Sequence, residues 1–118
     1  MRRLKYWKRI IQSYLLNNVS QLDFWHGEPM KNYDTDIDKL GQYYMLFHNK
    51  ALYDGHLDSN GIPMLNYHGH IGLQYNPIAI SQWWLGNYNL WIKNKQKENY
   101  NKFIACSEWL IDNLVENE

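Results

Sequence analysis

The chain has 118 residues and a mass of 14.3 kDa, which is the size of a single domain spanning residues 1–118. Lys and Arg together number 12, as do Asp and Glu, so no net charge favours binding to nucleic acid. The single cysteine, Cys106, excludes an intrachain disulfide framework and a cysteine-rich zinc site. Six Trp and ten Tyr make the chain rich in aromatic residues, a composition typical of a soluble globular protein that does not by itself name a chemistry.

The first 17 residues predict a basic amphipathic helix. Leu4, Trp7 and Ile11 follow the i, i+3, i+7 spacing of one helix face, and basic residues occupy most of the remaining surface. Because polar residues interrupt the apolar run, the segment does not fit a secretory signal peptide, and we expect a cytoplasmic protein. The favoured interpretation is a helix that docks on the protein with its basic side in water. The alternative is peripheral contact of residues 1–17 with an anionic membrane.

The middle of the chain is rich in turn-forming residues and predicts little regular structure. Tyr43–Phe47 has the composition of a strand, and Ile62–Tyr67 follows the turn signal Asn60-Gly61. We therefore expect these two segments to pair as a short structure resembling a β-hairpin.

The end of the chain predicts an αα-hairpin over residues 76–116. Asn76 is a suitable N-cap, and Pro77 follows at the first helical position, where a missing N–H is not needed. Apolar residues then recur every three or four positions on either side of a short polar connection at 94–97. The predicted fold class is mainly α.

Three polar patterns were considered as sites. His68 and His70 would share one face of an extended strand, but zinc needs at least one more ligand, so we expect no metal and keep proton transfer as the alternative use. The segment around Asp58 does not fit a calcium loop, because its twelfth position is Tyr67 rather than an acidic residue. Alternating acids at 34–38 are expected to be solvated or to cap a helix start.

Aromatic residues are concentrated between Tyr67 and Trp91. We assign Trp84, Tyr88 and Trp91 to helix packing, although aromatic faces also suit the C–H faces of sugar rings. Tyr75 and Asn76 lie at the predicted helix start, where the positive end of the helix dipole favours an acidic ligand.

Several stretches resemble the C-terminal domain of D-glucuronyl C5-epimerases. The likeness is sharpest in Asn60–Tyr67 (NGIPMLNY) and Gly72–Ile80 (GLQYNPIAI), and it continues through Gln82 and Leu85–Tyr88. It extends upstream to Leu40–Tyr44 and downstream to Tyr100, Lys102-Phe103, Trp109-Leu110 and Asp112-Asn113.

The resemblance implies an (α/α) toroid, of which this chain would be the leading part. It implies an isomerase that inverts C5 of uronic acid residues in a heparosan-type polysaccharide, glucuronate to iduronate, without a metal or organic cofactor. Such a reaction needs acid–base groups on opposite faces of the sugar ring. The candidates for acid–base groups are Tyr75, His68 and His70, and those for the substrate-binding cleft wall are Tyr67, Tyr75, Asn76 and Gln82.

The sequence leaves a second class of function open. No Lys or Arg lies between Lys50 and Lys93, so the segment with the sharpest likeness supplies no cation for a polyuronate. An epimerase-like chain could therefore be truncated and inactive, and the alternative is a non-catalytic fragment that binds carbohydrate or serves assembly. Self-association is expected if the end of the helical hairpin exposes apolar surface.

Overall fold

The computed structural model describes residues 2–15 and 30–114. The described elements are α1 (Arg2–Leu15), α2 (His48–Ala51), β1 (Met64–Asn66), β2 (Leu73–Tyr75), α3 (Pro77–Asn94) and α4 (Lys97–Asp112). They confirm a mainly helical fold with a small antiparallel sheet, whereas the larger toroid stays a prediction. Residues 1, 16–17 and 115–116 of the predicted helices lie outside the described residues.

The start and end of α3 follow from local sequence. The Asn76 side-chain oxygen accepts hydrogen bonds from the backbone N–H groups of Ile78 and Ala79, at 3.0 and 3.1 Å, so Asn76 is the predicted N-cap. Lys95 adopts the left-handed conformation (φ 58°) that ends the helix, and α4 begins two residues later.

Aromatic packing joins α3 to α4. Phe103 of α4 lies against Trp84, Tyr88 and Trp91 of α3, with ring centroids 5.7, 5.3 and 6.2 Å apart. The Trp84 indole N–H also donates a 2.7 Å hydrogen bond to the Ser107 hydroxyl. These contacts confirm that the aromatic stripe of α3 serves helix packing.

The core lies beside this pair of helices and contains Ile62, Ile80, Trp83 and Cys106. All four side chains are buried, and Ile62 comes from the loop before β1 rather than from a helix. Burial of the Cys106 thiol, with a smaller contribution from the charge of Asp58, raises its pKa to about 12.

The predicted strand pairing was wrong. β1 pairs with β2, placing Met64 opposite Tyr75, and not with 43–47, where Met45 forms only an isolated bridge to Lys31. The physical reason is the tight reversal after β1, in which His68, Gly69 and Gly72 all have positive φ angles. This reversal brings the chain back at once, before a more distant segment can pair with β1.

Segment 42–46 is instead attached to α3 through Asn89, whose side chain is fully buried. The side-chain oxygen of Asn89 accepts the backbone N–H of Tyr43 at 2.6 Å, and its amide donates to the carbonyls of Met45 and Leu46 at 3.0 and 2.9 Å. Gln42 donates to the backbone carbonyl of Asn89 at 3.0 Å. One helical residue therefore satisfies polar backbone groups that have no regular ladder to join.

Close backbone contact fixes α2 on α3 at Gly86. A Cβ atom added to Gly86 would overlap the carbonyl oxygen of Phe47 and lie 3.1 Å from the Ala51 side chain. Gly86 is buried, so the helix accepts the low helix propensity of glycine to let the two backbones approach.

The predicted N-terminal helix is present as α1, and its apolar residues are exposed: Leu4 by 76%, Trp7 by 59% and Ile11 by 49%. Within the described residues, no helix combines the length and the apolar character that a membrane span requires.

Replacing Gly86 by alanine tests the contact between α2 and α3. We expect Gly86→Ala to lower the free energy of unfolding by about 1–3 kcal/mol, because overpacking against backbone outweighs the gain in helix propensity. The matched control is Gly41→Ala, since an added Cβ there meets nothing within 4 Å. Urea unfolding followed by circular dichroism measures both, and equal stabilities would contradict the proposed contact.

Cys106 offers a second test of the core. Because the thiol is buried and its pKa is raised to about 12, we expect it to react with a thiol reagent only when the protein unfolds. Absorbance of the released chromophore at pH 8, with and without denaturant, measures the reaction. Rapid modification of the native protein would show that this part of the core is open.

Candidate functional site

The candidate site is built around a hydrogen bond between Asp58, in the loop before β1, and Tyr75, at the end of β2. The Tyr75 hydroxyl donates to one carboxylate oxygen of Asp58 at 2.6 Å. The other oxygen of Asp58 accepts the backbone N–H groups of Asn60 and Ile62, at 2.8 and 2.9 Å. The carboxylate is thereby fixed in position while the Tyr75 ring stays accessible, with 41% of its surface exposed.

Local sequence explains why Asp58 takes this position. Asp followed two residues later by Asn-Gly favours a turn closed by the aspartate side chain, and Gly61 supplies the positive φ angle of 80° that the turn needs. The isolated bridge between Leu57 and Pro63 closes the loop behind it. Pairing of β1 with β2 then brings Tyr75 across to Asp58.

Trp109 of α4 completes one side of the site. Its ring lies 5.1 Å from the Tyr75 ring, centroid to centroid, at an interplanar angle of 38°. Next to this pair is a cleft of about 290 Å³, lined by Asn60, Ile62, Ala105, Glu108, Trp109 and Asp112. The half-buried Trp109 and the more exposed Tyr75 present aromatic surface beside this cleft, which can receive the apolar face of a sugar ring.

The Tyr75–Asp58 hydrogen bond sets the protonation states of both groups. It raises the pKa of Tyr75, as do desolvation and the nearby charge of Asp58, so the phenol is protonated at neutral pH. For Asp58, partial desolvation acts to raise the pKa. Hydrogen bonds from Tyr75 and from the backbone of Ile62, Asn60 and Gly61 outweigh it, and the pKa is lowered overall. The pair is therefore a neutral phenol held by a carboxylate anion.

The other residues predicted for the cleft wall lie apart from this pair. The Asn76 amide donates a 2.8 Å hydrogen bond to the Tyr67 hydroxyl while its oxygen caps α3, and Tyr67 packs on the buried Leu65 and Ala79. Gln82 is half-buried on α3, and its side-chain oxygen is buried without a hydrogen-bond partner in the described structure. Asn76 and Tyr67 are thus hydrogen-bonded to each other, and they stabilise the start of α3.

His68 and His70 lie in the reversal between β1 and β2. The prediction that they share one face of a strand was therefore wrong. Both are exposed, and His68 has a φ angle of 62°, with its backbone N–H bonded to the Asn66 side chain at 2.8 Å. In the described ranges 2–15 and 30–114, no group of three or more His, Cys, Asp or Glu side chains could hold a metal ion.

A second cavity, of about 560 Å³, lies between the loop 35–44 and the aromatic face shared by α3 and α4. Its helical wall contains Trp84, Leu85, Tyr88 and Phe103, and Tyr88 also donates a 2.8 Å hydrogen bond to the carbonyl of Gly41. We call this cavity the loop groove. Its lining is mostly apolar, in contrast to the acidic residues of the cleft beside Trp109.

Sequence reasoning missed Asp58 and Trp109 as site residues. Asp58 was considered only as a metal ligand, although its Asp-x-Asn-Gly pattern indicated a carboxylate fixed by its own turn. No local signal could have paired it with Tyr75, 17 residues away, because that contact depends on the β1–β2 register.

Comparison with known proteins adds no relative: no family model, no curated protein and no solved structure matches the chain. The likeness to epimerases therefore continues to depend on the motifs in the sequence.

Removing the Tyr75 hydroxyl tests the electrostatics of the site. In Tyr75→Phe we expect the pKa of Asp58 to rise toward its ordinary value, because one donor to the carboxylate is lost. Stability from Asp58 is present above its unfolded pKa of about 4 and is lost as the pH falls through the lower folded pKa, so acid unfolding should begin at higher pH in the variant. Carboxyl carbon chemical shifts against pH measure the titration.

The control is Tyr33→Phe, which removes an exposed hydroxyl elsewhere. In the wild-type protein, the contribution of Tyr75 to stability depends on pH in the opposite direction. It is present below the unfolded tyrosine pKa of about 10 and is lost as the pH rises through the higher folded pKa. An Asp58 titration that is the same in Tyr75→Phe and wild type would contradict this account.

Proposed function

We propose that this chain is the leading portion of a D-glucuronyl C5-epimerase-like domain. In this proposal it contacts uronic acid residues of a heparosan-type polysaccharide through Tyr75, Asp58 and Trp109. The observation that carries the proposal is the short hydrogen bond from an accessible tyrosine to a fixed carboxylate, beside an aromatic cleft.

The chemistry of C5 inversion asks for a group like Tyr75. The C5 proton of a uronic acid is acidified by the neighbouring carboxylate, so one group removes it and another returns a proton from the opposite face. With its raised pKa, Tyr75 is protonated at neutral pH; in the proposed step its O–H bond breaks as the proton passes to C5, and the phenolate that remains is reprotonated from water. Asp58 then orients the phenol and keeps it from ionising prematurely.

Trp109 would position the sugar. Its indole forms one wall of the cleft and lies beside the Tyr75 ring, so a pyranose stacked on Trp109 would lie near Tyr75. The partly buried Trp109 also packs against the core that contains Cys106, which limits its movement. A rigid platform of this kind orients a flexible polymer at low entropic cost.

One observation favours the second function, a non-catalytic carbohydrate-binding or assembly fragment. The cleft lining includes the carboxylates of Glu108 and Asp112, and none of its described residues carries a positive charge. An enediolate developing beside two carboxylates would be destabilised. Catalysis therefore requires a cation supplied from outside this cleft, whereas binding of sugar rings by stacking does not.

The catalytic proposal is tested by incorporation of deuterium at C5 of heparosan-type oligosaccharides in heavy water. We expect slow incorporation with the wild-type chain and a loss of at least tenfold in Tyr75→Phe, because the proton donor is removed. Tyr33→Phe is the control and should retain the wild-type rate. Absence of exchange above a buffer blank would remove the enzymatic claim.

Binding is tested separately by titrating the same oligosaccharides into labelled protein and following amide shifts near Trp109. We expect Glu108→Gln to tighten binding about three- to fivefold at low salt, since a like charge about 4 Å away in water costs about 1 kcal/mol. Asp34→Asn, which removes a charge from another loop, is the matched control. Wild-type affinity in both variants would show that the uronate does not enter this cleft.

A further inference from the structure

The charges of the chain are divided unevenly between α1 and the rest. Residues 2–15 contain five Lys and Arg residues and no acidic residue, so this helix carries +5. The remaining 104 residues hold seven basic and all twelve acidic residues, which gives −5. A neutral protein thus consists of a strongly basic helix attached to an acidic body, and the two attract each other.

The apolar face of α1 is available for a partner. Leu4, Trp7 and Ile11 lie on one side of the helix, and each remains about half or more exposed. The Trp7 ring has an edge contact with Tyr6, with centroids 5.9 Å apart. An amphipathic helix gains most of its stability by burying such a face.

The loop groove matches this face in size and polarity. Beside its aromatic helical wall, the groove is bordered by Ile37 and Leu40, which are 98% and 97% exposed and so are themselves uncovered. A cavity of about 560 Å³ is large enough to take an indole together with a neighbouring aliphatic side chain. Covering the groove would remove both aliphatic residues from water.

The rim of the groove supplies the complementary charge. Asp34, Asp36 and Asp38 alternate along the loop, all exposed, and Lys39 forms an ion pair with Asp36 at 3.1 Å. The net charge of this stretch is therefore negative. Lys5 and Lys8 of α1 border its apolar face and could lie against these carboxylates.

The length of the connecting segment allows α1 to reach the groove. Residues 16–29 connect Leu15 to Met30 and can span at most about 50 Å. Met30 lies at the base of the groove loop, because its carbonyl accepts the backbone N–H of Leu46 at 2.9 Å. A tether of this length gives a high effective concentration of α1 at the groove of its own chain.

We infer that α1 docks in the loop groove of its own chain, with Leu4, Trp7 and Ile11 inserted and the basic residues over the acidic rim. The groove is then a site for an intramolecular helix, separate from the cleft beside Trp109. This inference does not depend on the proposed function, since neither the groove nor α1 contains Tyr75, Asp58 or Trp109.

Paramagnetic relaxation from a nitroxide on α1 tests the docking. In Lys8→Cys the label attaches to the new thiol alone, because Cys106 is buried. We expect the amide signals of residues 37–44 to lose more than half their intensity, while those of α2 are much less affected. Unbroadened signals at 37–44 would overturn the inference.

A mixed sample identifies the chain that supplies the helix. Labelled chains without nitrogen-15 are combined with unlabelled nitrogen-15 chains, and we expect no broadening, since docking is intramolecular. Broadening at 37–44 in the mixed sample would assign the groove to the helix of a second copy and would overturn the proposal.

The double variant Ile37→Ser, Leu40→Ser supplies a readout that does not involve the label. It should release α1 and abolish the broadening, whereas Leu52→Ser, which alters an exposed leucine outside the groove, should not. Released α1 should bind vesicles of anionic lipid at least threefold more tightly than wild type. Equal vesicle binding by wild type and the double variant would show that the groove does not cover α1.

Discussion

The hydrogen bonds made by the buried side chain of Asn89 hold segment 42–46 against α3, and the arrangement of this part of the protein depends on them. Segment 42–46 has neither a helix nor a sheet to satisfy its backbone, yet it lies against α3. The Asn89 side chain supplies one acceptor and two donors to this segment. The three backbone groups that it satisfies would be costly to leave without a hydrogen bond away from water. An asparagine inside a helix is intrinsically unfavourable, so its position reflects this tertiary role.

That attachment shapes the surroundings of the loop groove but not those of the cleft beside Trp109. Residues 41–44 are drawn onto the aromatic face of α3 and α4, which leaves the preceding acidic residues at the edge of the groove. The short helix α2 follows directly and is held against Gly86. By contrast, the cleft beside Trp109 is built from the Asp58 turn and the β1–β2 pair, whose contacts do not pass through Asn89.

The sequence predicted what local periodicity and capping encode, and it failed where contacts are distant. The helices α3 and α4 and the cap at Asn76 follow from neighbouring residues, so they were predictable. The partner of β1 was predicted wrongly because amino-acid composition says little about strand register. The reversal that brings β2 onto β1 includes His68 in the left-handed conformation, and a histidine signals such a turn less clearly than a glycine does. Tyr75 was predicted as a site residue. Its partner Asp58 was not, because the turn that contains Asp58 was compared only with metal-binding patterns, which it does not fit.

The distribution of charge links the two cavities to the question of catalysis. The cleft beside Trp109 is lined by two acidic residues, Glu108 and Asp112, and the strongest concentration of positive charge in the chain is on α1. The groove wall at Phe103 and the cleft wall at Trp109 are six residues apart on α4, about 9 Å along its axis. If α1 occupies the groove, its cations are neutralised by the acidic rim rather than placed over a bound uronate. Under the proposed function, a cation for C5 chemistry would then have to come from outside both α1 and the cleft, whereas the proposed binding of sugar rings by stacking would need none.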